Sequence, residues 1–540
     1  MSESMPRPPP QPPARANGGW VGRVALPALL LVVALYWTWF GLHGRSIRTD
    51  DGISLLAAAG IRMHGFPILP SGAIYARAYL AHYAVALSTM VFGVNDVGIA
   101  LPAFVAALGT VALTFGLARR TLGSDVGGVL AAGLVAASSA QTEYAVSPRM
   151  YGPLTFFAAW ASYAAFRGFV EGERAQRGWC VAAIALGLQC ERGTATVLLA
   201  LPVAWLLLGP PSARERWRGR LGWGLPEVAA GLVLVASVAL IEWHPAHVVR
   251  PLVVEAGAVA DSIGFSVAPK RILWHLIHMD SLLPGTLGLA VLATFTAFGG
   301  DHRLRYVAAL CWLPFAMVAC LLVDAGQRMV LFLLPVYATL VVAGARALGR
   351  AVVGRDARVI GLAAVSAVVY GGTYAAAITT PTRARSVYSG GWWLPDESRE
   401  GDPETAVELR ALRPKIAATD LVISSNPWVT DYYLDHTDGL LRQRTGKHHV
   451  YSAFASPTDE YFGLPIYDDF SKIQAVIKDL RPGQNLWVLR DFKSDEFTSV
   501  PFRHALSQVA QRVNKSRRIR IYRVTGPPAG PAGSGVAPAQ

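Results

Sequence analysis

Two adjacent carboxylates, Asp50 and Asp51, follow the first long apolar stretch of the chain, where a polar loop begins. Carboxylates so close to a membrane-type segment are costly unless they face water, a cation or a substrate. A positioned carboxylate can accept the proton of an attacking hydroxyl group, whose own pKa lies far above 7. The pair is therefore the first candidate for acid–base chemistry.

Other charged residues stand where further apolar stretches end. A guanidinium group binds phosphate oxygens with two parallel hydrogen bonds, and cations stabilise a phosphate as it leaves. One base with several such cations suits the transfer of a sugar from a lipid-linked phosphate to a hydroxyl group. For each residue alone, the alternative is a solvated helix end or a local ion pair, such as Glu143 with Arg149. The candidates are Arg77, Glu143, Arg149, Glu191, Arg192, Lys270, Arg271, Asp324 and Arg328.

The elements that must position these residues are transmembrane helices. The 540 residues are 53% hydrophobic, and the apolar residues come in blocks close to the ~20 residues that cross a bilayer. We predict a polytopic α-helical membrane protein with about 11 transmembrane helices. The expected spans are Val21–Leu42, Val97–Ala118, Val126–Ala140, Pro148–Phe166, Val181–Gln189, Thr194–Leu208, Leu221–Ile241, Ser281–Phe298, Tyr306–Val323, Met329–Ala345 and Val359–Ala377.

The net charge of +13 does not indicate nucleic-acid binding, because most arginines lie in short clusters between apolar blocks. By the positive-inside rule these clusters mark the cytoplasmic side. The N-terminus is then cytoplasmic, and the candidate site residues lie on the outer face of the cell membrane. The clusters contain Arg119, Arg120, Arg167, Arg174, Arg177, Arg214, Arg216, Arg218, Arg220, Arg303, Arg305, Arg346, Arg350, Arg355 and Arg358.

Composition divides the chain into four parts. Residues 1–20 form a Pro/Arg-rich disordered cytoplasmic head, and residues 21–379 form the membrane domain. Its first outer loop, 48–95, is expected to hold two interfacial helices, over Ile53–His64 and Tyr75–Phe92, and a short outer turn is expected over Gln141–Arg149. Residues 384–525 are predicted to form an extracytoplasmic α/β domain, and 526–540 a disordered tail. The domain's expected strands are Leu421–Ser424, Leu486–Leu489 and Arg518–Val524, and its helices Asp431–Leu434, Ser471–Leu480 and Phe502–Val513.

The positions of the cysteine and histidine residues do not identify a cofactor. All four cysteines lie in apolar segments, which argues against a disulfide framework or a zinc site. A divalent metal ion is left open, because the spacing of His244, His247, His275 and His278 could ligate one, whereas their other interpretation is interfacial histidines. In the C-terminal part, the polar residues Asn426, Asp431, Asp435 and His436 are interpreted as loop and cap residues.

Four motifs resemble those of the GT-C glycosyltransferases, in particular the protein O-mannosyltransferases and the lipid A aminoarabinose transferases. Arg48–Asp51 followed by Ala57–Gly65 resembles the family's first-loop segment, with Asp51 in place of the usual Glu. Val91–Pro102 is similar to the entry of its second helix. Ser147–Tyr151 (SPRMY) resembles its Ala-Arg-Met-Tyr motif, and Gln327-Arg328 through Pro335 its Arg-Tyr…Pro motif.

The resemblance covers about residues 21–379 and implies an inverting transfer from a polyprenyl-phosphate sugar at the outer face. It implies that Asp50 is the base or its closest helper, and that Asp51 assists through a hydrogen bond or a metal contact. Arg149 and Arg328 would bind the lipid phosphate. Arg77 would also bind the phosphate, since it lies where relatives place a phosphate-contacting lysine beside two prolines, although this chain lacks those prolines. The acceptor is left open among protein, glycolipid and polysaccharide.

Two other classes of protein are weighed against an enzyme. A transporter or flippase would need a charged path through the membrane and often a repeat between halves. The candidate charges lie at one face, and the sequence contains no such repeat. A non-catalytic scaffold is the third class, in which the C-terminal domain would bind a partner.

Overall fold

The computed structural model describes residues 20–43, 47, 49–75, 77–191, 269–283, 285–299, 301–321, 327–353, 403–442, 458–459, 462–491, 498–514, 516 and 519–528. Several sequence predictions fall outside them: the spans Thr194–Leu208, Leu221–Ile241 and Val359–Ala377, most of the two termini, His244, His247, Arg192 and Asp324. The side chains of Asp50, Lys270 and Arg271 also lie outside the described part, although their backbones are helical.

The first half of the membrane domain contains eight helices within the described residues. They are α1 Trp20–His43, α2 Thr49–His64, α3 Tyr79–Phe92, α4 Asp96–Leu122, α5 Asp125–Ala137, α6 Ser139–Ala145, α7 Tyr151–Ala165 and α8 Arg174–Leu188. A π-helical turn, Phe166–Val170, extends α7. The helix expected over Ile53–His64 is present as part of α2, and its interfacial position stays a prediction. The second begins at Tyr79 and not at Tyr75, because the preceding chain folds back so that Ile68 bridges Ile74, and Ala78 has a φ of 53°.

Two sequence predictions in this half need correction. The segment Val126–Ala140 is not one helix, because Ser138 has an extended backbone that separates α5 from α6. The expected turn Gln141–Arg149 is largely helical, since α6 includes Gln141 and runs to Ala145. Both changes place short polar side chains inside the bundle rather than in a loop.

The second half contains α9 Pro269–Leu282, α10 Leu287–Phe298, α11 His302–Leu321, α12 Gln327–Val330 and α13 Leu334–Val353. The predicted span Ser281–Phe298 is wrong as a single helix, because α9 and α10 meet at a bend of 102°. The Asp280 carboxylate makes this break by accepting hydrogen bonds from the backbone of Gly285 and Leu287, at 3.0 and 2.9 Å. The predicted span Met329–Ala345 lies within the spanning-length segment Arg328–Ala351, in which Leu331–Leu333 form a local 3₁₀ turn. Pro335 then stands in the first turn of α13, where its missing N–H costs no hydrogen bond.

Within the described residues, three helices are long and apolar enough to cross a membrane, and the bent pair would make a fourth. They are Asp96–Leu122, His302–Cys320 and Arg328–Ala351. The chain is therefore a multi-helix membrane protein, and the predicted number of 11 stays a prediction. The four cysteines are free thiols, and three of them are buried in this bundle.

The described arginines that separate the apolar blocks gather at one end of the bundle, which we call the arginine end. Arg120 and Arg167 pair with Glu171 and Glu173, just after α7. Arg303 at the start of α11 donates to the Arg120 carbonyl at 3.3 Å, and Arg346 in α13 donates to the Leu122 carbonyl at 2.8 Å. Helices that are distant in sequence thus bring these charges to the same level, as the charge pattern predicts.

The C-terminal domain is an α/β sheet of six strands in the order β3-β2-β1-β4-β6-β5. The strands are β1 Leu421–Ser424, β2 Gly439–Leu441, β3 Ile466–Tyr467, β4 Asn485–Asp491, β5 Gln511–Arg512 and β6 Ile519–Thr525. The first four are parallel, and β6 is antiparallel to both β4 and β5. The helices are α14 Pro403–Leu412, α15 Pro427–Leu434, α16 Phe470–Lys478 and α17 Val500–Val509. An apolar cluster covers each face of the sheet.

The three strands expected in this domain are found as β1, β4 and β6. The predicted helix Phe502–Val513 ends at Val509, because Gln511-Arg512 pairs with β6 as an edge strand. The short strands β2 and β3 carry too few alternating residues to be recognised. Asn426 caps α15, as interpreted, and Asp435 stands at its C-terminal cap with a φ of 55°. Asp431 lies within α15, so its interpretation as a loop or cap residue is wrong.

The C-terminal domain packs directly on the membrane domain, at the end of the bundle opposite the arginine end. The Ile47 backbone N–H donates to the Tyr433 hydroxyl at 3.1 Å, and Arg410 pairs with Asp96 at 3.2 Å. Ile47 also joins the apolar cluster that covers one face of the sheet. In α2, Gly52 lies so close to Trp428 of α15 that an added Cβ would stand 2.6 Å from the Trp428 Cβ. A glycine is therefore needed where these two helices touch.

Candidate functional site

The first loop and the SPRMY segment meet through one hydrogen bond. The Ser147 hydroxyl donates to Oδ1 of Asp51 at 2.7 Å, and the Asp51 side chain is 0% exposed. Asp51 lies in the first turn of α2, where the positive end of the helix dipole favours a carboxylate. Asp50 is the residue before it in the same turn. The contact fixes the start of α2 against the segment that leads into α7.

Arg149 stands two residues after Ser147 and is 9% exposed. Its guanidinium carbon lies 4.9 Å from the centroid of the Tyr151 ring, and that ring in turn makes an edge-to-face contact with Tyr144 at 5.0 Å. A guanidinium over an aromatic face gains about 0.5–2 kcal/mol, more as water is excluded. The two tyrosines therefore hold the Arg149 side chain in place at the end of the bundle that also carries Asp51.

Arg328 is the second residue of α12, and its side chain is half-buried. The 3₁₀ turn that follows α12 packs against α7, the helix that begins directly after Arg149 and Met150. Arg149 and Arg328, the arginines of the two motifs, therefore stand just before α7 and the 3₁₀ turn, which contact one another. The structure thus places the Arg328 segment at the same end of the bundle as the Arg149 segment.

Arg77 and Glu191 belong to neighbouring segments at this end. Arg77 is exposed and lies just before α3, whereas Glu191 is half-buried and follows α8. The two segments are joined by a hydrogen bond of 3.4 Å from the Leu80 N–H to the Gln189 carbonyl. Glu143 is half-buried within α6. Lys270 and Arg271 open α9, with side chains outside the described part.

Two buried polar residues near this end were not selected from the sequence. His82 in α3 and Gln141 in α6 are buried; the His82 ring contacts the Tyr75 ring at 5.4 Å, and within the described residues neither amide atom of Gln141 has a hydrogen-bond partner. A buried polar group without a partner costs about 1–3 kcal/mol. His82 lies within the helix expected over Tyr75–Phe92, and Gln141 begins the outer turn expected over Gln141–Arg149. The signal that could have found them is a polar residue on an otherwise apolar helix face.

The histidines considered for a metal site are partly accounted for. His275 and His278 are buried on one face of α9, and the His278 ring makes an edge contact with Trp274 at 5.0 Å. In the part of the chain that the structure describes, no group of three His, Cys, Asp or Glu side chains could hold a metal ion. The question of a divalent ion therefore stays open.

Comparison with known proteins gives one family model and several solved structures. Residues 76–243 match the model of the dolichyl-phosphate-mannose-protein mannosyltransferase family. No curated protein matches the chain in sequence.

The crystal structure of ArnT from Cupriavidus metallidurans bound to undecaprenyl phosphate is similar with a TM-score of 0.61 and 16% identity, covering 94% of this chain and 98% of that one. The same protein in the apo state gives a TM-score of 0.61 and 13% identity, covering 93% and 98%. The oligosaccharyltransferase AglB from Archaeoglobus fulgidus gives 0.44 and 12% identity over 88% and 70%.

The ArnT comparison covers both parts of the molecule, the helical bundle and the C-terminal sheet domain. The family model covers the segment from Ala76 to Trp243, which includes α3 to α8 and the Ser147–Tyr151 motif. The resemblance that the sequence motifs indicated is therefore confirmed at the level of the fold: the chain has a fold similar to that of ArnT, and its residues 76–243 match the mannosyltransferase family model.

Proposed function

We propose that this protein is an inverting glycosyltransferase, which moves a sugar from a polyprenyl-phosphate donor to a hydroxyl acceptor at the outer face of the cell membrane. The observation that carries the proposal is the hydrogen bond between Ser147 and Asp51. It joins the carboxylate pair to the segment that contains Arg149. A base and a phosphate-binding cation thus belong to two segments in contact.

In the proposed reaction, Asp50 accepts the proton of the acceptor hydroxyl as its oxygen attacks the anomeric carbon. The bond from that carbon to the phosphate oxygen breaks on the opposite side, and the lipid phosphate leaves with the electron pair. Guanidinium groups of Arg149 and Arg328 bind the phosphate oxygens and stabilise their growing charge. Because the acceptor oxygen attacks the face opposite the leaving phosphate, the anomeric configuration is inverted.

Asp51 has a different role in this proposal. Its carboxylate is fully buried and accepts the Ser147 hydrogen bond, so it is suited to hold the first turn of α2 in place. Asp50, one residue earlier, is offset by about 100° around the helix. The buried member of the pair would position the segment, and the other member would meet the acceptor.

The lipid donor is supported by the similar fold of ArnT bound to undecaprenyl phosphate. The family model named for a dolichyl-phosphate-mannose enzyme supports the same class of donor. The arginine end would be cytoplasmic, in line with the positive-inside rule, and would leave the carboxylate end and the C-terminal domain outside. The N-terminus would then be cytoplasmic.

The experiment that tests the proposal compares the glycoconjugates of the cell envelope by mass spectrometry in cells with and without the protein. We expect one class of glycan-bearing molecule to lose a single sugar in cells without it, and the sugar to return with the wild-type gene but not with Asp50→Asn. Substrate crossing of liposomes by the purified protein, with no covalent transfer, would contradict the proposal and favour a flippase.

A further inference from the structure

The chain between α2 and α3 folds into a compact hairpin. Ile68 bridges Ile74, and the two strands close on one another there. The Tyr75 N–H donates to the Pro67 carbonyl at 2.9 Å. The hairpin lies on α2, because a Cβ added to Gly60 would stand 2.1 Å from the Ile68 carbonyl oxygen. The hairpin therefore has a fixed place against the helix whose first turn contains the carboxylate pair.

The chain leaves this hairpin through a residue in an unfavourable backbone conformation. Ala78, the residue before α3, has a φ of 53° and a ψ of 39°. Within the described residues, Asp435 is the one other residue with a Cβ and a positive φ. A Cβ in this left-handed region crowds the following carbonyl, and such strain persists where the surrounding structure holds it, often at ligand-binding sites. Arg77 is the residue directly before Ala78.

His82, in the first turn of α3, holds this strained turn. Its backbone N–H donates to the Ala78 carbonyl at 3.0 Å, and its ring centroid lies 5.4 Å from that of the Tyr75 ring. The imidazole also interacts with the backbone of Arg77. The residue is 1% exposed. His82 therefore contacts the turn both before and after the residue that carries the guanidinium.

The His82 imidazole is neutral at pH 7. Burial lowers the pKa of His82 to about 4, and the interaction with the Arg77 backbone opposes this shift only in part. A neutral imidazole has one hydrogen-bond donor and one acceptor, so it can interact with a backbone group as a phenyl ring cannot. Burial alone would favour an apolar side chain here. The polar ring therefore indicates a role in the turn beyond filling space.

Other residues of α3 hold the beginning of the hairpin. The Tyr79 ring makes an edge-to-face contact with Phe66 at 6.2 Å. The Tyr83 hydroxyl donates to the Gly65 carbonyl at 2.8 Å. Neither contact involves the part of the chain next to Ala78. Loss of the His82 ring should consequently loosen the turn at its end and leave the rest of the hairpin in place.

The Arg77 side chain is exposed, at the end of the bundle that also carries Asp51 and Arg149. An arginine loses conformational freedom when it binds a phosphate, and a backbone that is already fixed reduces this cost. A rigid turn would therefore raise the affinity of Arg77 for an anion without a new contact. A flexible turn would leave the same charge in the same region but bind the anion more weakly.

We propose that His82 is a positioning residue, which braces the turn at Ala78 and thereby fixes Arg77 for the phosphate of the lipid donor. The inference rests on the proposed glycosyltransferase function and adds a buried residue to its donor-binding side. His82 itself touches neither the lipid nor the sugar.

The test is a double-mutant cycle on the binding of undecaprenyl phosphate to the full-length protein in nanodiscs. We expect His82→Phe, which keeps a buried ring, to weaken binding about 2–10-fold, the freedom of one side chain. His82→Leu repeats the measurement should the phenylalanine variant fail to fold. His82→Gln keeps a donor and an acceptor and should retain most of the affinity. In an Arg77→Gln background, His82→Phe should cause no further loss, because the side chain that it positions is gone.

The matched control is Tyr83→Phe, which removes a hydrogen bond at the other end of the hairpin and should bind as the wild type does. In turnover assays, His82→Phe should raise the KM for the lipid donor by the same factor and leave kcat unchanged.

Further loss of affinity in the double variant, equal loss in Tyr83→Phe, or unchanged binding in His82→Phe would overturn the inference. Binding that weakens in Arg149→Lys but not in His82→Phe would overturn this inference alone. Binding that is unchanged in both Arg149→Lys and Arg77→Gln would instead contradict the phosphate contacts of the proposed function, and the inference would fall with them.

Discussion

The two ends of the helical bundle hold charged side chains in different environments. At the arginine end, Arg120 and Arg167 pair with glutamates near the surface, and Arg303 and Arg346 donate to the carbonyls that end α4. At the other end, the Asp51 carboxylate is fully buried and accepts a hydroxyl hydrogen bond, and Arg149 lies over a tyrosine ring.

The comparison separates charges that fix topology from charges that could do chemistry. Partly exposed ion pairs contribute little stability, about 0–1 kcal/mol, and cationic side chains at helix C-termini are an ordinary arrangement. Burial of a carboxylate and of a guanidinium group costs free energy unless each is paired or hydrogen-bonded. Such buried charges are common at functional sites. We therefore expect substitutions at the arginine end to leave activity nearly unchanged, and substitutions at the opposite end to reduce it.

The largest effect is expected for Asp50→Asn. The amide cannot accept the acceptor proton, so transfer should fall by about 10²–10⁴-fold. The measurement is turnover of a radiolabelled polyprenyl-phosphate sugar in proteoliposomes, with binding of the lipid measured alongside. The matched control is Glu173→Gln at the arginine end, which should leave turnover near that of the wild type. Equal losses of turnover in the two variants would contradict the functional difference between the two ends of the bundle.

A smaller loss is expected for Arg149→Lys. The ammonium group keeps the charge but loses the paired hydrogen bonds to phosphate, a difference of about 1.5–3 kcal/mol. The KM for the lipid donor should therefore rise roughly 10–100-fold. Arg303→Lys, at the other end, is the control and should leave this KM unchanged. An unchanged KM in Arg149→Lys would show that Arg149 does not bind the lipid phosphate with paired hydrogen bonds.

The contact between the two domains can be tested through Gly52→Ala. The added methyl group would meet Trp428 at 2.6 Å, and such overpacking costs about 1–3 kcal/mol. The expected result is a lower melting temperature and faster proteolysis between the domains. Gly133→Ala in α5, where an added Cβ meets nothing within 4 Å, should be neutral or slightly stabilising. Similar melting temperatures for the two variants would show that α2 and α15 do not touch so closely.

The smallest effect is expected for Asp96→Asn. Asp96 accepts the Tyr432 hydroxyl and pairs with Arg410 at 3.2 Å, but this pair is half exposed to solvent. Loss of the charge should cost less than about 1 kcal/mol of unfolding free energy. Chemical denaturation measures it, and a loss of several kcal/mol would mean that this pair holds the domains together.

Hydropathy and charge in the sequence predict a multi-helix membrane protein and the shared end of the arginines, because apolar block length and arginine clusters depend on local composition. They fail where a side chain interrupts a helix: Asp280 caps the break before α10, and Ser138 separates α5 from α6. These breaks depend on backbone hydrogen bonds that hydropathy does not report. The two-residue strand β3 was missed for a similar reason, since only its neighbour β2 defines it.

The sequence predicted which segments form the candidate site, but it did not predict which side chains contact one another. The motifs named Asp51 and Arg149, but the Ser147 hydroxyl that joins their segments looks like any serine in the sequence. Asp51 and Ser147 are 96 residues apart in the chain. Contacts between such distant segments follow from the fold, so no local pattern indicates them.

The two ends of the bundle are proposed to face different compartments, with Asp50 and Asp51 at the extracytoplasmic end. Two exposed histidines offer a matched pair of labelling sites, His64 at the end of α2 and His302 at the start of α11. Each is replaced by cysteine and treated in intact cells with a membrane-impermeant maleimide. We predict that His64→Cys is labelled at once, and that His302→Cys is labelled only after the membrane is permeabilised. Labelling of His302→Cys alone in intact cells would contradict the account.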